Sequence, residues 1–425
     1  MRALIPLLLL ATATAAEPLS LDQAVAQALA GNPEADVAAS RVAGAVARVK
    51  AANAAFLPVL RLAGTYTITD QPALAFMGLI NHQAYGPTIN PNDPPTVDNL
   101  NLSAMIQVPI FHLDSYQGRR AAQAGTATAT EAQEATRHAL ALATAQTFIQ
   151  VHRVGDLVAA AQAGVTAYAT NRIAAQARFD AGKLLKSELM DVESRLAEAK
   201  GELIKAQGGL ELSGQMLGQV LGTGGTVTDL APLADLPLPD ETTKPQRPEL
   251  LAALSQENAA AIAIRQVRAG RAPQLDGFAG YGYDRGFKQD GDRGSWQAGV
   301  MVSVNAFDGG RISAGVEQAM AQHTQAVAER RKLELELFRQ VAAARVGLRT
   351  ASERILVAQS AVEAASEAER VMTSRFAEGA VTTSELAISE SGLIRARIML
   401  ADARADRRLA LVNLRHALGL PIVTK

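Results

Sequence analysis

The 425-residue sequence contains no cysteine, which excludes disulfides, thiolate metal sites and a lipid-modified N-terminal cysteine together. Long apolar runs are missing too. Beyond the first sixteen residues no stretch supplies 18 or more consecutive apolar residues, so a membrane-crossing helix is excluded and any passage through a bilayer must be made by strands. Neither sign of charge predominates, with 41 Lys and Arg against 42 Asp and Glu, and there is no basic footprint for nucleic acid. Gly-rich phosphate loops, GxSxG elbows and a cysteine nucleophile are absent. The six histidines, at 82, 112, 138, 152, 323 and 416, never fall at i, i+4 with a carboxylate between them. That spacing supports no metal site, so the expectation is no catalytic residue, no cofactor, no metal and no enzyme.

What is present begins with an export signal. Residues 1–16, MRALIPLLLLATATAA, combine one basic residue, an apolar run and small residues around Ala16, as a signal peptide with a cleavage site does. The remainder is written twice. RFDAGKLLKSEL (178–189) returns as RFAEGAVTTSEL (375–386) at an offset of 197, and Pro33 and Pro58 return as Pro248 and Pro273 at an offset of 215. An offset of 196 carries Val108 and Phe111 onto Val304 and Phe307, so the first copy holds about 19 extra residues between Pro58 and Val108. The boundaries expected are a signal peptide at 1–16, a first repeat at 17–221, a linker at 222–247, a second repeat at 248–420 and a tail at 421–425.

Each repeat reads as a helix, two strands and a very long helical hairpin. Val341, Leu348, Ile355 and Val362 recur every seven residues with Ala344, Ala351, Ala358, Ala365 and Met372 three places behind, a coiled-coil seam. Moved back by 197 the same seam reads Thr144, Val151, Val158 and Val165 with Thr147, Val154, Ala161, Tyr168 and Ala175. So many small residues suit a wall of closely packed helices. No proline interrupts about 113–180 or 309–377, and a helix of nearly 70 residues spans roughly 100 Å, too long for a globular domain. The hairpins turn at 181–184 and 378–381. The segment between the repeats is rich in Gly and Pro and reads as a connection.

Four windows, at about 59–69, 98–108, 274–285 and 295–306, alternate with period two. Leu60, Leu62, Tyr66 and Ile68 oppose Arg61, Thr65 and Thr67 in the first, and Trp296, Val300 and Val302 oppose Ser295, Gln297 and Ser303 in the last. Lengths near ten residues with one apolar and one polar face fit strands that meet lipid outside and water inside. Six aromatic residues lie within 56–116 and six within 278–307, leaving five for the rest of the chain, as interfacial girdles would require. Small barrels fill with their own side chains at about eight strands, so four strands cannot enclose a lumen. Three chains giving four strands each would close a 12-stranded barrel.

In order and spacing, SLDQAVAQALAGNP (20–33), FLP (56–58), VPIF (108–111), VNAFDGG (304–310) and the two glycine turns leading to SEL resemble the TolC-like outer membrane efflux protein family. The resemblance covers essentially the whole mature chain. It implies a homotrimer in outer-membrane lipid, with a 12-stranded barrel continuous with a periplasmic helical tunnel, docked on a periplasmic adaptor that links it to an inner-membrane transporter. Gly182, Lys183, Leu184, Gly379, Ala380 and Val381 would then be the adaptor-docking tips. Glu188, Asp191 and Glu385 would ring the pore mouth, with Arg178, Arg375 and Lys183 as gating candidates. Carboxylate rings of that kind favour cations. The chain departs from the family pattern at Ile388, where the second copy lacks a second acid, and at Val381 and Phe376, which replace a basic residue and a tyrosine. A charge-and-hydroxyl lock cannot form from those two.

The function implied is a passive exit duct of a tripartite efflux pump. Two alternatives stand beside it: the duct of a type I protein secretion system, and a periplasmic coiled-coil scaffold without a pore. An enzyme on a helical bundle would have only paired carboxylates such as Glu188 and Asp191 to work with, and such pairs are usually just solvated. The extra segment 71–95 is expected on the extracellular side.

Overall fold

A computed structural model describes residues 18–234, 236–240, 242–243 and 245–422; the expected signal peptide lies outside the described residues. The elements are α1 (Leu21–Gly31), α2 (Pro33–Ala54), β1 (Val59–Thr69), α3 (Pro72–Asn81), β2 (Val97–Phe111), α4 (Leu113–Asp180), α5 (Lys186–Leu221), α6 (Pro248–Ala269), β3 (Gln274–Gly286), β4 (Gly291–Ser303), α7 (Arg311–Glu378) and α8 (Thr383–Ala417). Helix, strand, strand and helical hairpin therefore occur twice, with α3 inserted in the first copy. Among the described residues no helix is long and apolar enough to cross a membrane. Contacts divide the described residues into two compact units: those within 18–39, 132–250 and 332–422 form one, 40–131 and 251–331 the other.

The first unit is helical. Its α1 starts at a full capping box, with Ser20 Oγ accepting from the Gln23 amide and the Gln23 side chain accepting from the Ser20 amide. Its apolar face then splits. Ala24 and Ala28 pack with Phe148 and Val151 of α4 and Leu217 and Leu221 of α5, whereas Val25 packs with Ala145 and Ile149 of α4 and Val412 of α8. Thr144, Val151, Val154, Tyr168 and Ala175 of the first seam are buried, as are Val341, Ala351 and Ala358 of the second. The small residues there let helices approach closely. The connecting segment is tied down along this unit: Leu19 pairs with Leu230, His152 Nε2 lies 3.0 Å from the Ala231 carbonyl, and Arg415 donates to the carbonyls of Pro237 and Pro421. Nearby, the rings of His138 and His416 stack 4.5 Å apart. Burial, Arg247 and His138 push His416 down to about 4.

The second unit carries one antiparallel sheet in the order β1-β2-β3-β4. Its register aligns Leu62, Ala104, Tyr281 and Trp296 across all four strands on one face, and Thr65, Asn101, Asp284 and Arg293 on the other. Strand β4 begins four residues before the 295–306 window and stops at Ser303. Pairing ends there because Ser303 faces Gln274, the first residue of β3; farther on Asp308 caps α7, its carboxylate accepting from the amides of Gly310 and Ile312. The inserted segment is packed, not open. Ala75 and Leu79 of α3 bury against Val97, and His82 Nε2 lies 3.0 Å from Asn99 Oδ1, which puts the segment on the polar face of β2. It approaches the β3–β4 hairpin so closely that a Cβ at Gly291 would lie 2.2 Å from the His82 carbonyl oxygen. Only glycine fits there.

Candidate functional site: the hairpin tips and the two-faced sheet

Both hairpin tips of the first unit are built by one device. In the first, the Gly182 amide donates to the Phe179 carbonyl and the Lys183 amide to the Arg178 carbonyl; in the second, Gly379 donates to Phe376 and Ala380 to Arg375. Each is a Schellman ending, whose reversal of the chain needs a left-handed residue at the glycine. The φ angles, +69° at Gly182 and +80° at Gly379, supply it. Leu184 and Val381 complete the turns before the next helices start.

The restarts differ. Thr382 and Glu385 form a reciprocal capping box on α8. That holds Glu385 below the usual carboxylate range, chiefly through the Thr382 amide and then its hydroxyl. On α5 the Glu188 carboxylate accepts from the Leu185 amide at 2.9 Å, but leucine has no acceptor to return, so the box is half made. Asp191 pairs with Arg195 at 3.0 Å, one turn along. All three expected pore-mouth acids are thus engaged along their own helices.

The two tips meet through Arg178. Its guanidinium lies 4.1 Å from the Phe376 ring centroid and donates to the Phe376 carbonyl. Phe376 is only 6% exposed. A cation over an aromatic face with a hydrogen bond to the same residue joins the ends of α4 and α7. Among Arg178, Arg375 and Lys183, this is the cross-hairpin contact that emerges; Arg375 contributes its backbone carbonyl, and Lys183 its amide, to their own turns.

Sequence reading missed a second link about two turns deeper along α4. Glu390 of α8, 6% exposed, accepts from Asn171 of α4 through one oxygen while the other has no partner. Burial pushes its carboxyl up, the Asn171 hydrogen bond opposes this, and Glu369 adds to it. Farther along, Asp402 and Asp406 of α8 pair with Arg153 of α4, and Asp406 also pairs with Arg354 of α7. An open groove of 710 Å³ between α4, α5 and α8 is lined by Leu157, Tyr168, Ala199, Ile394 and Ile398 among others.

In the second unit the sheet is strongly two-faced. Leu62 is 75% exposed and Trp296 79%, with Leu60, Ile68, Val300 and Val302 also exposed on that apolar side. On the other side Asp284 Oδ1 accepts from Asn99 at 2.7 Å and Asn101 at 2.9 Å, and Asp276 lies 3.2 Å from His112 Nε2. Strands β1 and β4 each have one unpaired edge among the described residues. An apolar face open along four strands, a polar face opposite, and long helical hairpins in the same chain are the features of a membrane-strand protein of the outer-membrane class.

The comparisons narrow that class. The family model described as outer membrane efflux protein matches residues 24–223 and 241–420, and the chain belongs to that family. Membership makes it an outer-membrane efflux channel protein, a class without enzymatic activity. Its backbone is similar to the outer membrane protein VceC of Vibrio cholerae, with a TM-score of 0.78, 20% identity, and coverage of 95% of this chain and 97% of that one. It is similar too to the CmeC outer membrane channel of Campylobacter jejuni, with a TM-score of 0.81, 15% identity, and coverage of 95% and 87%. Among curated relatives, the proteases secretion protein PrtF of Dickeya chrysanthemi is 26% identical over 56% of this chain and 55% of its own length.

Proposed function

We propose that three copies of this chain form the outer-membrane exit duct of a tripartite efflux pump, conducting substrates passively from a periplasmic adaptor and inner-membrane transporter. The observation that carries this reading is the single sheet with one lipid-suited face, one polar face and two unpaired edges. In hydrocarbon an unpaired strand edge costs several kcal/mol per polar group, so the edges must close on other copies. Three sheets of four strands make a 12-stranded ring wide enough to leave water inside. The helices support the same assembly: Leu335, Phe338, Leu356 and Val357 of α7 and Ile204, Leu212 and Met216 of α5 are exposed apolar residues on two different helices. Unlike faces that meet head to tail generate a ring when the rotation between copies closes, and the sheet edges require that closure. The tips around Gly182–Leu184 and Gly379–Val381, with the groove beside α5, are the surfaces for an adaptor's helices.

PrtF favours a second reading, the duct of a type I protein secretion system, since that relative is named for protease secretion. Detergent-purified protein should run as a trimer and conduct ions in a planar bilayer. A monomer soluble without detergent would instead fit a pore-free periplasmic scaffold. Deleting the gene separates the cargo classes: heightened drug sensitivity supports efflux, and loss of an exported protein supports secretion.

A further inference from the structure

The spacing of histidines along the sequence excludes a local metal motif, but the fold gathers one from three distant segments. His138 of α4, His416 of α8 and Glu249 at the start of α6 each bring a ligand atom within 4.8 Å of the other two. Two further observations mark the cluster. His138 Nδ1 and His416 Nε2 are buried without any hydrogen-bond partner. Unpartnered polar atoms are rare in protein interiors, and each needs an explanation.

The surroundings are those of a ligand set. The other ring nitrogen of His138, Nε2, lies 3.3 Å from the Leu420 carbonyl. Donating there fixes the tautomer and leaves the Nδ1 lone pair free, the usual outer arrangement of a metal-bound imidazole. Glu249 is held by the Arg247 fork, Nε to Oε2 at 2.9 Å and Nη2 to Oε1 at 2.8 Å, while Arg247 Nη1 donates to the His416 carbonyl at 3.1 Å. Arg247 is itself 5% exposed. The carboxylate is therefore oriented by a buried partner that also grips the helix carrying His416.

We propose that His138, His416 and Glu249 form a binding site for a borderline divalent transition-metal ion of the zinc class, with water completing the coordination. Two imidazoles and one carboxylate suit zinc, and its tetrahedral geometry, with metal–nitrogen bonds of about 2.0–2.1 Å, sets ligand nitrogens about 3.3 Å apart. The two rings are stacked at 15°, so both must turn about their side-chain bonds until the free nitrogens converge on the ion. Bound there, the ion ties the first helix of the second repeat to α4 and α8. Its role is a staple within the helical unit, independent of what the protein conducts.

Full-length protein in detergent, stripped with a chelator and titrated with Co²⁺ and then Zn²⁺, tests this. One ion should bind per chain, with the visible bands of four-coordinate Co²⁺ bleached by Zn²⁺. His138→Gln and His416→Gln should each weaken binding at least about tenfold, whereas His323→Gln should leave it unchanged. Zn²⁺ should raise the thermal midpoint of the unsubstituted protein and not that of the variants. Should a histidine variant fail to fold, Glu249→Gln takes its place. Absence of stoichiometric uptake by protein of normal oligomeric state, or uptake indifferent to the cluster substitutions, overturns the site.

Discussion

Glu390 shows how one side chain sets a pH dependence. It is buried on α8, one oxygen takes the Asn171 amide and the other takes nothing. Its folded-state pKa is raised above the ordinary glutamate value of 4.5, so the folded chain holds this proton where the unfolded chain has released it. Stability must then fall as pH rises from the ordinary carboxylate range through the raised value. Glu390→Gln should remove that slope and raise the unfolding midpoint at pH 7, measured by a thermal scan across pH. An unchanged slope would place the titrating group elsewhere. The tip glycines make a second case. At Gly379 a new Cβ meets nothing within 4 Å, so Gly379→Ala carries only backbone strain, at φ +80°. The expected cost is about 1–2 kcal/mol, concentrated at the tip, and amide exchange of 376–382 should quicken while the body of α7 keeps its protection.

At the scale of elements, the tips hold by a cap and a cross-contact that can be separated. Thr382→Ala removes one half of the α8 capping box and should cost about 1 kcal/mol, read as a lower unfolding midpoint. Arg178→Ala removes the only contact described between the ends of α4 and α7 that involves a cation and a ring. It should leave helix content unchanged and raise single-channel conductance if the tips narrow the path. Apart from α1 and α3, the elements were legible because each rests on a local rule. Period two gave the strands, the heptad seam gave the long helices, and the duplicated glycine turn gave the reversals. The Arg178–Phe376 and Glu390–Asn171 contacts were hidden because they join residues 198 and 219 positions apart, and no spacing rule reaches that far. The packing of 71–95 was hidden for a similar reason. It depends on Gly286 and Gly291, whose lack of side chains matters only once His82 lies against them.

For the molecule as a whole, the exposed apolar residues of α5 and α7 are the observation to test. Phe338 is 77% exposed in a single chain, more than a large aromatic residue on a helix needs to be. Phe338→Asp should dissolve the oligomer on native gels while the isolated chain keeps its helical circular dichroism. Persistence of a trimer would show that α7 faces solvent. Composition could point to several chains, because four strands cannot enclose water, but it could not say which helix faces meet. The unpaired edges of β1 and β4 carry one more consequence, for genetics. If three sheets share a ring, a chain whose rim cannot join its neighbour, such as one with proline in place of a residue whose amide faces the free edge of β4, spoils every assembly it enters. Cells making equal amounts of sound and faulty chains would retain only about one eighth of their ducts, and the defect would be inherited as dominant.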